Sequence, residues 1–288
     1  MRISFHTDAF SSVCWNFEKC LQWAKRNKVR AIECGLVDGV SWMHGLGYYP
    51  HLSTADDPVA LRKTMDDYDV HLSQIDAAYP LSGKDGPYYG IPYVLNAMRY
   101  AKLCGCPRVC TTDGLHKPEG LDDNEAMGLM KRTYQTLVEV AERYEIDLTI
   151  EIHGYFTTNI ERLAEMLNFV DSPRLCLNLD TGNSFIAGGN PIDFASRFAK
   201  KVSHVHIKDV SKALADSLRG GATGIAVSES AVGDGVNADN IRKTLEILRD
   251  NGYDGPLSIE CAGEGGPLIE KSLDWLRKTL KELNISEN

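Results

Sequence analysis

The chain has 288 residues, which is long for one average domain but usual for a single α/β barrel. Hydrophobic residues make up 43% and charged residues 25%, as in soluble globular proteins with a large core. The net charge of −9 argues against a nucleic-acid-binding surface, which needs clustered Lys and Arg. No apolar run approaches the about 20 residues that span a bilayer, and the N-terminal MRISFHTDAF lacks the apolar stretch of a signal peptide. We therefore expect a cytoplasmic protein that binds neither nucleic acid nor membrane.

The eight cysteines include no C-x-x-C pair. A zinc knuckle or a thioredoxin-like redox site is therefore not indicated. Several cysteines lie in strand-like segments, where a reduced cysteine packs as a small hydrophobe. We expect reduced thiols in the core, and the alternatives that stay open are a Cys104–Cys106 pair or a reactive thiol.

Short β-branched or apolar runs alternate with longer segments of helical period along the whole chain. In chain order, these runs predict eight strands: 2–5, 31–34, 71–76, 108–111, 148–152, 175–179, 202–207 and 256–260. Most are continuously apolar, as expected for parallel strands covered by helices.

The longer segments predict eight amphipathic helices: 16–27, 59–68, 94–104, 124–144, 157–170, 191–200, 238–251 and 267–283. Thr157 is placed to cap the helix at 157–170, with Glu161 in its first turn.

Eight strands alternating with eight helices predict a (β/α)8 TIM barrel, with residues 1–288 forming one domain. A doubly wound sheet is the alternative, but it needs a Gly-rich phosphate loop after an early strand, and the sequence contains none there. Two connections, 35–57 and 208–237, are long. In a barrel both follow strands and lie over the C-terminal mouth, where long loops are usually functional.

Four of the predicted strands end in residue types that bind metal ions: Glu151, Asp180, His206 and Glu260. Each one alone is explained equally well by a helix cap or an ion pair. The combination is different, because unpaired ionisable groups are costly to bury and all four strands end at the same mouth. Three carboxylates and one imidazole suit Mn²⁺ first, and Mg²⁺ or Co²⁺ next, better than a structural zinc site with thiolates. The sequence therefore predicts one divalent metal ion.

His204 and His206 lie two residues apart on one predicted strand. We expect their side chains to face opposite ways, so that only one of them enters the barrel. His206, nearer the C-terminal end of the strand, is the predicted ligand. His204 is expected to pack or to hydrogen-bond in the surrounding structure.

The order E…DTGN…HVHIKD…GYDGPLSIE resembles the xylose-isomerase-like barrel superfamily, in its branch of sugar phosphate isomerases and epimerases. The resemblance covers nearly the whole chain. It implies that Glu151, Asp180, His206 and Glu260 hold the metal ion. It also implies that Glu151 and Glu260 act as the acid/base pair on opposite faces of the sugar.

The sequence also departs from the ketose 3-epimerases of that superfamily. Asn183 stands where they have a substrate-contacting His, and Lys212 where they have an Arg. We expect both to contact substrate here, and both differences count against a free ketohexose 3-epimerase. His153, two residues beyond Glu151, is predicted to contact substrate or act as a further base, with a structural hydrogen bond as the alternative. Lys208 is predicted to reach the site, or else to pair with Asp209.

Three further candidates for substrate contact are His6, Trp42 and His116. His6 and Glu33 end the first two strands and could line the pocket floor. Trp42 belongs to an aromatic-rich loop that suits stacking on a sugar ring, or else forms a small core beneath that loop. His116 follows the fourth strand.

These residues predict a metal-dependent sugar isomerase or epimerase that acts next to a carbonyl through an enediolate. The main alternative is a lyase or dehydratase that acts on a keto-sugar, an inosose or a 3-keto-glycoside. DNA repair of the endonuclease IV kind fits the acidic charge poorly, and a non-catalytic sugar-binding subunit is a remote alternative. The expected partner is a small sugar or polyol derivative. Whether the chain forms a homo-oligomer is not indicated by the sequence.

Overall fold

A computed structural model describes residues 1–13, 15–37, 51–221, 224, 226–262 and 265–288. Within them, nine strands form one parallel sheet. In chain order the strands are β1 (Arg2–Phe5), β2 (Ala31–Val37), β3 (Leu52–Ser53), β4 (His71–Pro80), β5 (Arg108–Thr112), β6 (Asp147–Glu151), β7 (Leu175–Asp180), β8 (Val202–Ile207) and β9 (Pro256–Ile259).

Eight of these strands close into a barrel. Their order is β1-β9-β8-β7-β6-β5-β4-β2. A parallel bridge between His6, which follows β1, and Glu33 in β2 joins the two ends of this order. The two-residue strand β3 pairs only with the end of β2 among the described strands, and the sequence did not predict it. The predicted (β/α)8 barrel is confirmed.

Ten α-helices lie in the described ranges: α1 (Phe17–Arg26), α2 (Pro58–Tyr68), α3 (Ile91–Cys104), α4 (Asp123–Tyr144), α5 (Ile160–Met166), α6 (Thr181–Ile186), α7 (Pro191–Phe198), α8 (Lys212–Leu218), α9 (Ala238–Asp250) and α10 (Gly266–Glu282). Eight of them match predicted helices. The short helices α6 and α8 were not predicted, because a six- or seven-residue helix shows little periodicity. None of the helices in the described ranges is long and apolar enough to cross a bilayer.

The start of α5 differs from the prediction. Asn159, not Thr157, caps this helix, because its Oδ1 accepts the N–H groups of Glu161 and Arg162. The hydroxyl of Thr157 instead donates to Asp113. The helix predicted at 157–170 therefore begins at Ile160, three residues later than expected. Asp113, directly after β5, fixes the turn that precedes it.

The inside of the barrel contains a layer of buried polar side chains where TIM barrels usually carry branched apolar ones. We call the following five residues the polar layer: Glu33, Gln74, Thr149, Asn178 and His204, all fully buried. Apolar neighbours of these residues on the same strands belong to the core between barrel and helices, among them Ile32, Ile75, Leu148, Leu177 and Val205. The polar layer lies directly below the C-terminal mouth and supports the side chains there.

Candidate metal and substrate site

Four side chains from neighbouring strand ends converge at the C-terminal mouth of the barrel. Glu151 and Asp180 are the last residues of β6 and β7, His206 lies in β8, and Glu260 directly follows β9. One potential ligand atom from each lies within 4.8 Å of the other three. The Nδ1 atom of His206 is 2.9 Å from Glu260 Oε2, 3.3 Å from Glu151 Oε1 and 3.5 Å from Asp180 Oδ2. We call these four side chains the carboxylate–imidazole cluster.

The two carboxylate oxygens of Asp180 have different surroundings. Oδ1 accepts the N–H groups of Gly182 and Asn183, each at 2.7 Å, and so caps α6. Oδ2 faces His206 and, like Glu260 Oε2, is buried without a hydrogen bond of acceptable geometry from the described residues. An unmet buried acceptor costs about 1–3 kcal/mol. Two such oxygens beside one imidazole nitrogen form an arrangement that a cation satisfies.

The pKa shifts within the cluster also favour a bound cation. Burial alone would lower the pKa of His206, but Glu33, Glu260 and Glu151 around the ring raise it well above its ordinary value. Burial alone would raise the pKa of Glu151, but His153 and His206 hold it below its ordinary value. Carboxylates crowded into a region of low dielectric need positive charge close by.

Lys208 extends from the end of β8 into this site. Its Nζ is 2.7 Å from Glu260 Oε1 and 3.5 Å from Asp180 Oδ2, and it donates to Asn183 Oδ1 at 3.0 Å. Burial would lower the pKa of Lys208, but Asp180 and Glu260 raise it, so the ammonium group stays charged. The stem of Lys208 passes over Gly182, where any Cβ would overlap it.

The alternative pairing of Lys208 with Asp209 is wrong. Asp209 turns away from Lys208 and accepts backbone N–H groups of Gly233, Gly235 and Asn237. Asp209 thus anchors the loop before α9, and Lys208 instead pairs with carboxylates of the cluster.

His153 lies directly beside the cluster. Its Nδ1 is 3.3 Å from Glu151 Oε2. The hydroxyl oxygen of Thr157 accepts the N–H groups of His153 and Gly154, and its proton goes to Asp113 Oδ1 at 2.8 Å. Burial would lower the pKa of His153, but Glu151 and Asp113 raise it. A fixed turn therefore presents this imidazole to the site.

Two more of the predicted substrate residues are buried at the mouth. Asn183 donates through Nδ2 to Glu151 Oε1 at 3.3 Å. His6 has Nδ1 2.9 Å from Asp8 Oδ1 and Nε2 3.8 Å from Asp76 Oδ2. Its ring centroid is 6.2 Å from that of His206, which places His6 at the edge of the cluster.

Two predicted substrate residues are not part of this group. The prediction that Lys212 reaches the site is wrong: Ser211 caps α8, and Lys212 in its first turn is 75% exposed and pairs with Asp216. His116 is exposed on the rim of the cleft described below. Trp42 lies outside the described residues.

The expectation that His204 and His206 face opposite ways is also wrong, because residues i and i+2 of a strand share a face. Both rings point inward, with their centroids 5.4 Å apart. His204 lies deeper, in the polar layer, with Nδ1 3.1 Å from Asn178 Oδ1. Burial lowers the pKa of His204 to about 3, so this ring is uncharged and hydrogen-bonds within the fold.

The residues beneath the cluster were largely not predicted from the sequence. Glu33 was expected only on the pocket floor, and Gln74, Asp76 and Asn178 were not singled out. The available signal was the two-residue period of strands, because Asn178 precedes Asp180 by two residues and therefore points the same way.

Among the residues that the structure describes, two other groups of potential ligand atoms meet the same 4.8 Å limit: Asp76 with Cys110 and Glu151, and Glu33 with His204 and His206. Burial raises the pKa of Cys110 well above its ordinary value, so this thiol keeps its proton and is a poor ligand. Cys104 and Cys106 are free buried thiols, so the suggested pair between them is not formed.

A cleft of about 300 Å³ opens beside the cluster, between the ends of β4, β5 and β6. Pro80, Leu115 and Pro118 give it apolar walls, and it is also lined by the buried His153 and the exposed His116. The cluster and the cleft together present a polar centre with an apolar flank, which is a common design of small-molecule sites.

Comparison with known proteins identifies the family. The xylose isomerase-like TIM barrel family matches residues 21–279, and the chain belongs to this family.

One similar relative is an inosose dehydratase of Lacticaseibacillus casei, which is 25% identical over 155 residues, 50% of this chain and 50% of the relative. The matched region thus spans about half the length of that protein. Among solved structures, a D-tagatose 3-epimerase-like protein superposes with a TM-score of 0.77 at 20% identity, covering 99% of this chain and 98% of that one. The IolI protein with a binding zinc atom superposes with a TM-score of 0.76 at 16% identity, covering 98% and 99%.

Proposed function

We propose that this chain is a divalent-metal-dependent enzyme that transfers a proton next to a carbonyl of a sugar or polyol derivative, as an isomerase or epimerase. The observation that carries this proposal is the carboxylate–imidazole cluster, in which two buried carboxylate oxygens without hydrogen bonds face His206 Nδ1. This donor set fits a hard divalent cation.

Glu151, Asp180, His206 and Glu260 would hold the ion through three carboxylates and Nδ1 of the imidazole. This set favours Mn²⁺, with Mg²⁺ and Co²⁺ as alternatives. A bound divalent ion would polarise the substrate carbonyl and stabilise the negative charge of the enediolate.

Glu151 and Glu260 are the residues that would move the proton. They come from strands β6 and β9 on either side of Asp180 and His206, so they approach the mouth from different sides. One carboxylate would remove the acidified proton and the other would return one. Burial would raise the pKa of both carboxyl groups, but His153 and His206 beside Glu151, and Lys208 and His206 beside Glu260, lower it, so both stay ionised.

Four neighbours would orient the substrate or stabilise developing charge. Lys208 and Asn183 place an ammonium and an amide against the cluster, where they would meet sugar oxygens. His153 contacts Glu151 and would donate or accept a proton beside it. His6 would contact the substrate from the β1 side.

A lyase or dehydratase is the second candidate, and one feature favours it. His153 both contacts Glu151 and lines the apolar cleft, so it stands where a leaving group could be protonated. The relative named inosose dehydratase supports the same reading over half of the chain.

Incubation with Mn²⁺ in D₂O with a panel of ketoses, an inosose and 3-keto-glycosides tests both candidates. The isomerase proposal predicts exchange of a substrate C–H hydrogen for deuterium without loss of water or of a glycosidic group, and no exchange in Glu151→Gln. Loss of water or of the glycosidic group would instead establish the lyase. If metal-loaded protein gave neither exchange nor elimination with any compound, the proposed chemistry would be contradicted.

A further inference from the structure

The imidazole of His206 has carboxylates on both sides. Nδ1 faces the three carboxylates of the cluster. Nε2 faces Glu33, at 3.0 Å from Oε1 and 2.9 Å from Oε2. Glu33 is fully buried in the polar layer, so this second contact is shielded from water.

The hydrogen bonds around Glu33 fix which atom carries the proton. The hydroxyl of Thr149 donates to Gln74 Oε1 at 2.8 Å, so the amide nitrogen of Gln74 is turned toward Glu33. That nitrogen donates to Glu33 Oε1 at 2.7 Å. A carboxylate only accepts hydrogen bonds, so the atom that approaches Oε2 must be the N–H of His206 Nε2.

This arrangement decides how the ring presents itself to the mouth. A neutral imidazole with its proton on Nε2 has its lone pair on Nδ1. Nδ1 is the atom that lies 2.9–3.5 Å from the cluster carboxylates. Glu33 therefore selects the tautomer whose free lone pair points at the cation site.

We propose that Glu33 is a positioning residue that holds His206 in the Nε2–H form and so makes Nδ1 a metal ligand. This inference rests on the metal site of the proposed function. Metal-binding histidines commonly donate their second N–H to a carboxylate, and loss of that partner typically weakens metal binding about 10–100-fold.

A rival arrangement makes Glu33 itself a ligand, together with His204 and His206. Both oxygens of Glu33 already accept hydrogen bonds, from Gln74 and from His206. His204 is 3.8 Å from Glu33 through Nε2 and faces Asn178 through Nδ1. An ion at this place would have to break these bonds, so the structure favours the positioning role.

The test compares Glu33→Gln with the wild type. The glutamine keeps the shape, but it removes the negative charge and replaces one of the two oxygens, both within 3.0 Å of His206 Nε2, by an amide NH₂ that cannot accept. Competition of Mn²⁺ between protein and a chromophoric chelator gives the dissociation constant, which we expect to rise about 10–100-fold with one ion per chain retained. Glu18→Gln, at an exposed position in α1, is the charge-matched control and should leave it unchanged.

A second measurement does not depend on the folding of a variant. Long-range ¹H–¹⁵N spectra of the zinc-loaded wild type should show His206 protonated at Nε2. A proton on Nδ1 would overturn the inference, as would unchanged metal affinity in folded Glu33→Gln. Complete loss of the ion in that variant would make Glu33 a ligand and overturn the positioning role. A wild type that binds no ion would refute the proposed function together with this inference, whereas the other outcomes concern Glu33 alone.

Discussion

Gly182 lies directly beneath the stem of Lys208, and a Cβ at position 182 would overlap the Cβ, Cγ and Cδ atoms of the lysine. The glycine of the DTGN segment therefore gives Lys208 its path to Glu260 and Asp180. A backbone position without a side chain thus determines where a charge of the site lies.

Replacement of Gly182 by alanine should push Lys208 away from the cluster. We expect a loss of about 1–3 kcal/mol in the free energy of unfolding, typical of overpacking, and reduced turnover in the exchange assay. Gly128→Ala is the control, because Gly128 lies in α4 with open space around it and alanine there should stabilise by about 0.5–1 kcal/mol. Equal changes in stability and turnover in the two variants would contradict the role of Gly182.

Two variants at Asp180 should distinguish its helix-capping role from its metal-binding role. Asparagine at this position keeps an oxygen that can accept the N–H groups of Gly182 and Asn183, but it removes the charge at Oδ2. We expect Asp180→Asn to lose the metal ion with little change in metal-free stability. Asp180→Ala should lose the ion and also about 1 kcal/mol of capping energy. Thermal unfolding and metal analysis of both variants check this, and retention of the ion by Asp180→Asn would count against the site.

Asp113 should matter for stability but not for metal content. Its carboxylate accepts from the Phe156 N–H and the Thr157 hydroxyl, and it holds the turn that carries His153. In Asp113→Ala these donors are buried without acceptors, at about 1–3 kcal/mol each. We expect denaturant unfolding to show this loss while one ion per chain is retained. A variant as stable as the wild type would show that the turn does not depend on Asp113.

Stabilisation by metal should grow with pH. In metal-free protein the carboxylates raise the pKa of His206 above its ordinary 6.5. A raised folded-state pKa gives stability that is present below the unfolded pKa and is lost as pH rises through the folded value. The ion requires the neutral ring and must displace this proton, while Glu151 and Glu260 stay ionised. The increase in Tm on adding Mn²⁺ should therefore be larger at about pH 9 than at about pH 6. The same increase at both values would contradict proton displacement.

Lys212→Met and Lys208→Met should differ sharply. Lys212 is exposed and pairs only with Asp216 among the described residues, so its loss should change stability by no more than about 0.5 kcal/mol and leave turnover intact. Lys208 is buried against two carboxylates, so Lys208→Met should abolish most turnover. A loss of turnover in Lys212→Met would show that Lys212 acts in the site.

The barrel could be predicted from the sequence because the periods of strands and helices are local properties of the chain. It also singled out Glu151, Asp180, His206 and Glu260, which the structure brings together because parallel strands end at one mouth. Lys212 was misplaced because its direction depends on the start of α8 at Ser211, which spacing from His206 does not reveal.

The polar layer shows a second limit of sequence reasoning. The contact of Glu33 with His206 joins positions 173 residues apart, through strands β2 and β8 that are not neighbours in the sheet. Only closure of the barrel brings them together. The inward direction of His204, by contrast, follows from the two-residue period of its strand.

The metal content of the purified protein tests the central claim most directly. Elemental analysis after dialysis and reconstitution with Mn²⁺ should give about one divalent ion per wild-type chain and almost none in Glu151→Gln and Asp180→Asn. A folded wild-type protein that holds no ion and cannot be reconstituted would contradict the account, as would variants that keep the ion with unchanged affinity.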